Sequence, residues 1–123
     1  MKTILLIEDE ILIRSSLARA LGKDGYVVSE AKDYGEAMEE LKAKGCDLAI
    51  VDLYLEDGLH GIDLIREIHR RSPEAKIIVI TAFGTPEVKE AVMLEGIDRF
   101  YDKPFEIMDI RSALKEMLPE VAV

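Results

Sequence analysis

The stretch ILLIEDE, residues 4–10, runs four apolar residues straight into three carboxylates. A short apolar run bounded by polar residues reads as a buried strand. Ending that strand on Glu8 and Asp9 side by side carries a cost. Two negative charges roughly 4 Å apart repel by about 4 kcal/mol at an effective dielectric of about 20. Either the two carboxylates diverge into water, or something positive sits between them.

The same pattern of apolar run, polar end and helix recurs along the chain. A helical pattern over 10–21 ends at Gly22. YVVSEA (26–31) is a second strand, and Asp33 reads as the N-cap of a helix to about Ala43, stopped by Gly45. DLAIVDL (47–53) is a third strand, and the polar loop YLEDGLHG (54–61) leads to a helix from about Ile62 to Arg71. KIIVIT (76–81) is a fourth strand, after which Thr85-Pro86 opens a helix ending at Gly96, with proline at its first position. IDRFYDK (97–103) is a fifth strand, and Pro104 opens a last helix to about Met117.

Five successive β–α units predict an α/β fold, a doubly wound five-stranded parallel sheet of order 2-1-3-4-5 with five helices. The unbroken runs ILLI, LAIV and IIVI fit strands buried on both faces. A length of 123 residues fits a single domain over 1–123. The net charge of −9 makes nucleic acid a poor direct partner and favours a metal cation or a basic protein patch. Cys46 is the only cysteine, which excludes a disulfide framework and a thiolate zinc site and fits a cytoplasmic location. The N-terminal apolar run is too short for a signal peptide, and no run is long enough for a membrane span.

In open parallel sheets, ligands bind beyond the carboxyl ends of the strands. Those ends carry Glu8 and Asp9, Asp52, Thr81 and Lys103. Each residue alone has an ordinary reading as a cap, a loop solvator, a strand-end hydroxyl or a surface lysine. Together they form a constellation. Three carboxylates and one ammonium sum to −2, which a divalent cation cancels. The donors are hard oxygens without clustered His or Cys, so Mg²⁺ fits and Mn²⁺ can substitute. Mg²⁺ favours one or two carboxylates together with a phosphate oxygen. Asp52 is then the candidate nucleophile, forming an aspartyl phosphate, with Lys103 and Thr81 on the phosphoryl oxygens. Asp57 competes for that role but lies in an Asp-Gly turn rather than at a strand end.

These residues, with Thr81-Ala82 and Lys103-Pro104-Phe105, give a chain that resembles the receiver domain of bacterial two-component response regulators along its whole length. The resemblance implies that Asp52 accepts phosphate from a histidine kinase or phosphotransfer protein. It implies a metal site of Glu8, Asp9, Asp52 and the backbone carbonyl of Tyr54. It implies a switch in which Thr81 and an aromatic residue, here Phe100, change rotamer. The face made by the fourth helix, fifth strand and fifth helix would then dimerise or bind an output. Such a domain is a switch that catalyses only its own phosphorylation and dephosphorylation. Ile11, Leu12, Ile13 and Leu17 cannot all point inward from the first helix, and Ile13 and Ser16, near the acidic pair, would meet the kinase helices.

Two departures stand out. The family often has proline four residues after the phosphorylated aspartate, where this chain has Glu56, and the loop before Gly61 is about one residue longer. Tyr54 and Phe83, two residues past Asp52 and Thr81, are both aromatic and would shield an acyl phosphate from water. Rival readings fit less well. A flavin binder of the same fold needs a phosphate-binding loop where Glu-Asp-Glu stands. A phosphatase with an aspartyl nucleophile normally wants a second carboxylate at the position of Tyr54. A pseudo-receiver that only binds partners would not need the complete site. His60 and His69 have no ligand partners in the pattern.

Overall fold

The computed structural model describes residues 2–55, 58–59 and 61–119. Glu56, Asp57 and His60 lie outside the described residues. The strands are β1 (Thr3–Ile7), β2 (Val27–Ala31), β3 (Leu48–Asp52), β4 (Tyr54–Leu55), β5 (Gly58–Leu59), β6 (Lys76–Thr81) and β7 (Arg99–Asp102). The helices are α1 (Ile11–Lys23), α2 (Tyr34–Ala43), α3 (Gly61–Arg71), α4 (Pro86–Leu94) and α5 (Ile107–Met117). The five long strands pair in parallel in the order β2-β1-β3-β6-β7, which is the expected 2-1-3-4-5. β4 and β5 form a separate two-stranded antiparallel ladder.

Side chains alternate across the pleat and so divide the core in two. Ile4, Leu6, Leu48, Ile50, Ile78 and Ile80 pack with Leu17 and Leu21 of α1 and with Ile110, Ala113 and Leu114 of α5. Leu5, Ile7, Ala49, Val51, Ile77 and Val79 pack with residues of α2, α3 and α4. Every residue of β3 is buried, as an unbroken apolar run requires. β2 is an edge strand, and its Val27 is exposed.

Local chemistry sets the helix ends. Asp33 caps α2 by accepting from the Glu36 N–H at 2.8 Å, and Thr85 caps α4 by accepting from the Val88 N–H at 3.2 Å. Three expectations need correction. α1 continues through Gly22 to Lys23, because the left-handed turn that reverses the chain falls on Gly25, at φ +96°. α5 starts at Ile107 rather than Pro104. The Lys103 N–H still donates to the Thr81 carbonyl at 2.8 Å, so the chain is held at the sheet one residue past β7. The segment read as a loop after β3 contains the β4–β5 ladder, with Tyr54 opposite Leu59 and Leu55 opposite Gly58.

That ladder returns the chain to the end of β3. A Cβ on Gly61 would lie 2.6 Å from Leu53 Cα, so only glycine lets α3 begin against the residue that follows Asp52.

Candidate functional site

The strand order reverses beside β1, which pairs with both β2 and β3. The crevice expected at such a switch point lies beyond the carboxyl ends of β1 and β3. Four elements deliver side chains there. Glu8 and Asp9 follow β1, Asp52 ends β3, Thr81 ends β6, and Lys103 follows β7. The structure brings the expected residues together. Glu8, Asp9 and Asp52 each offer one carboxylate oxygen, and these oxygens lie within 4.8 Å of one another. Glu8, Asp52 and Thr81 are buried, whereas Asp9 is half-buried.

Within the acidic pair, Glu8 has a positive partner in this structure, Lys103. Its ammonium lies 2.7 Å from Glu8 Oε1, 3.1 Å from Asp52 Oδ2 and 3.6 Å from Glu10 Oε1. Burial pushes the Glu8 carboxyl up to about 7; the Lys103 ammonium and the Glu10 N–H pull against that, and the neighbouring Asp52 charge adds to it. Burial also works against the charge of Lys103, but Glu8 and Asp52 outweigh it and hold the ammonium above its ordinary range.

Asp52 Oδ1 accepts the Tyr54 N–H at 3.1 Å while Oδ2 faces Lys103, so the carboxylate is fixed from two sides. Thr81 Oγ1 accepts the Phe83 N–H at 3.1 Å, which leaves the hydroxyl proton to donate elsewhere. The rings of Tyr54 and Phe83 then meet edge to face, with centroids 5.0 Å apart. Phe100 stands opposite Val79 in the sheet and is partly buried against the α2–α3–α4 side of the core. Lys89 Nζ stands 5.6 Å from its ring centroid, and a Cβ on Gly84 would lie 3.1 Å from its ring edge.

The donor set fits a hard divalent cation. Three carboxylates converge without His or Cys. Glu8 Oε1 is buried and receives no well-aligned hydrogen bond among the described residues, although the Lys103 ammonium is its ion-pair partner.

Other groups take structural roles. His69 Nε2 meets the Glu95 carbonyl at 2.9 Å and ties α3 to the end of α4. Arg111 grips Asp24 with two hydrogen bonds, 2.8 and 2.6 Å, and ties α5 to the end of α1. Burial pushes the Cys46 thiol up to about 12, which makes it a poor nucleophile. Sequence reasoning missed Arg14, whose guanidinium donates to the Glu8 carbonyl at 2.8 Å. Its one signal is that it is the first charged residue of α1.

Known proteins share this arrangement of elements. The two-component response regulator PhoP of Pseudomonas aeruginosa is 35% identical over 115 residues, which are 94% of this chain and 51% of that protein. The photosynthetic apparatus regulatory protein RegA of Rhodobacter capsulatus is 32% identical, over 92% of this chain and 61% of that protein. The chain thus spans about half to three-fifths of the length of these curated relatives. A response regulator from Burkholderia pseudomallei, solved with a phosphorylated aspartic acid, a calcium ion and citrate, superposes with a TM-score of 0.85 at 30% identity, covering 93% of this chain and 66% of that one. The family model for the response regulator receiver domain matches residues 4–115. With the five-stranded parallel sheet and the acidic, threonine and lysine strand ends in place, the chain belongs to the response regulator receiver domain family.

Proposed function

We propose that this chain is a phosphoacceptor switch in which Asp52 takes a phosphoryl group from a histidine kinase or phosphotransfer protein in the cytoplasm. The observation that carries this reading is the setting of Asp52. It is a buried carboxylate at the end of β3, held by the Tyr54 N–H and by Lys103, and grouped with Glu8 and Asp9. An Asp52 oxygen attacks phosphorus, the bond from phosphorus to the donor histidine nitrogen breaks, and an acyl phosphate forms. Lys103 is within reach of oxygens added at Oδ2, and the Thr81 hydroxyl proton is free to donate to them. Glu8, Asp9, Asp52 and the Tyr54 carbonyl would hold Mg²⁺, with Mn²⁺ as a substitute. When bound, the ion supplies neutralising charge to the carboxylates and to the incoming phosphoryl oxygens. The chain turns over no other substrate and catalyses only the gain and loss of its own phosphoryl group.

The switch follows from charge. Phosphorylation places roughly −1.5 to −2 where Asp52 held −1. Thr81 moves toward the new oxygens, and Phe100 turns into the space vacated. The face of α4, β7 and α5 then repacks. Met93 and Leu94 of α4 and Met108 of α5 are already exposed, an apolar set suited to a phosphorylation-dependent homodimer or to an output partner. On α1, the exposed Leu12 lines a groove with Ile13, Ser16, Pro104 and Phe105, a surface suited to the helices of a kinase. No helix among the described residues is long and apolar enough to cross a membrane.

The test is intact mass after incubation with a small acyl-phosphate donor and Mg²⁺, for the wild type and Asp52→Asn. One added phosphoryl group in the wild type, lost in Asp52→Asn and without Mg²⁺, is expected. A shift that survives Asp52→Asn names the wrong nucleophile, and no shift at all favours a receiver that signals by binding alone.

A further inference from the structure

We infer that Arg14 is a positioning residue for the acidic pair, setting the metal affinity of the site without touching the metal; this rests on the metal reading above. The Glu8 carbonyl belongs to the peptide that joins Glu8 to Asp9. That peptide is planar, so fixing its carbonyl oxygen fixes the direction in which the Asp9 N–H and Cα leave it. Arg14 Nη1 donates to this oxygen at 2.8 Å. The guanidinium is held in turn by Glu30 at the end of β2, whose Oε1 accepts from Nε at 3.2 Å. The Arg14 side chain is only 14% exposed; Glu30 is 45% exposed, so the bond to the Glu8 carbonyl is the more sheltered of the two.

The other bonds of the turn leave this one job undone. The Glu8 N–H donates to the Ala31 carbonyl at 3.0 Å, and the Glu10 N–H donates to Glu8 Oε2 at 3.0 Å. The first fixes where the chain leaves the sheet, and the second fixes the Glu8 side chain. The Arg14 N–H donates to the Glu10 carbonyl at 3.0 Å, which places Arg14 one helical turn above the acidic pair. From there its side chain reaches back to the Glu8–Asp9 peptide. Without it, that peptide plane is free to rotate, and Asp9 loses its fixed aim at Glu8 and Asp52. Arg14 also brings a positive charge to the backbone that carries two of the three converging carboxylates.

The experiment is calorimetric titration with Mg²⁺ alone, together with the metal-free melting temperature, for the wild type, Arg14→Gln, Arg14→Lys and Glu30→Gln. Outer-shell partners of metal ligands typically change affinity 10- to 100-fold, so Arg14→Gln should weaken Mg²⁺ binding about tenfold. Its metal-free melting temperature should stay within about 5 °C of the wild type, a shift of roughly 1 kcal/mol in a domain of this size. Arg14→Lys, which can still donate to the carbonyl but not hold Glu30 as well, should recover part of the affinity. Glu30→Gln should weaken it less than Arg14→Gln. If Arg14→Gln does not fold, the order wild type, Arg14→Lys, Glu30→Gln decides, and equal affinity in all three overturns the inference. An Arg14→Gln protein that binds Mg²⁺ as tightly as the wild type overturns it alone. A wild type that binds no Mg²⁺ overturns it together with the metal site.

Discussion

Lys103 Nζ lies 2.7 Å from Glu8 Oε1 and 3.1 Å from Asp52 Oδ2, so one ammonium reconciles two buried carboxylates that would otherwise repel. A divalent cation bound to Glu8, Asp9 and Asp52 would draw on the same negative charge. Lys103 and such a cation would therefore be partial substitutes in holding the fold together and rivals for the same oxygens.

Lys103→Met should accordingly destabilise the metal-free protein. Stripping the partner from a buried charge costs up to about 3–5 kcal/mol, with protonation of Glu8 recovering part of it. Saturating Mg²⁺ should then raise the melting temperature of Lys103→Met by more than it raises that of the wild type, since binding to the native state stabilises it by mass action. Thermal melts with and without Mg²⁺ check this. Equal metal-induced shifts in the two proteins would mean that the ammonium and the metal do not share charge.

The Glu8 carboxyl, pushed up to about 7 from its ordinary 4.5, sets a pH dependence with a definite sign. Between those two values the metal-free folded state binds more protons than the unfolded state. Stability contributed by the protonated group is therefore full below about 4.5 and is lost as pH rises through about 7. Metal-free melts from pH 5 to 8 should fall for the wild type relative to Glu8→Gln, which removes the titration. Mg²⁺ should bind more tightly over the same interval, because it competes with the proton for Glu8. Asp24, Glu67 and Glu95, held below the usual carboxylate range by Arg111, Arg70 and Arg66, act at more acid pH and do not disturb this window. Parallel wild-type and Glu8→Gln curves would refute the assignment.

Gly61→Ala should cost roughly 1–3 kcal/mol, the usual range for overpacking. The added Cβ would meet Leu53 Cα at 2.6 Å, and a backbone atom has no flexible end to swing aside. Because Leu53 follows Asp52, the same change should also slow phosphorylation by a small donor. Denaturant unfolding reads the first effect and intact-mass kinetics the second. An unchanged midpoint would show that α3 can shift away freely.

The sheet and the site were legible in the sequence for one shared reason. Three of the five long strands carry their apolar run up to a residue that the fold brings to the site, so finding the end of ILLI, LAIV or IIVI also finds Glu8, Asp52 or Thr81. What stayed hidden had no periodic signature. β4 and β5 are two residues each, too short for any alternation to show. Pro104 looked like a helix start because the rule for proline is local, whereas the Lys103 N–H is held at the sheet by Thr81, far away in sequence. Arg14 was missed because its partner is a backbone carbonyl, and carbonyls leave no mark on residue type.

Tyr54 and Phe83 carry the last prediction. Their backbone N–H groups are bonded to Asp52 Oδ1 and Thr81 Oγ1, so the backbone that carries each ring is tied to a side chain of the site. The rings meet edge to face at 5.0 Å, a contact that is worth about 0.5–1.5 kcal/mol beyond burial and holds both in place beside the site. Loss of the phosphoryl group needs a water in line with the bond from phosphorus to the Asp52 oxygen. Removing the rings opens that approach. The double variant Tyr54→Ala/Phe83→Ala should lose phosphate roughly tenfold faster than the wild type, equivalent to about 1.4 kcal/mol off the barrier. Each single variant should fall between, because the remaining ring loses its partner as well as leaving a gap. The measurement is the decay of the phosphorylated mass after the donor is removed at constant Mg²⁺. If the double variant decays at the wild-type rate, the aromatic pair serves packing alone.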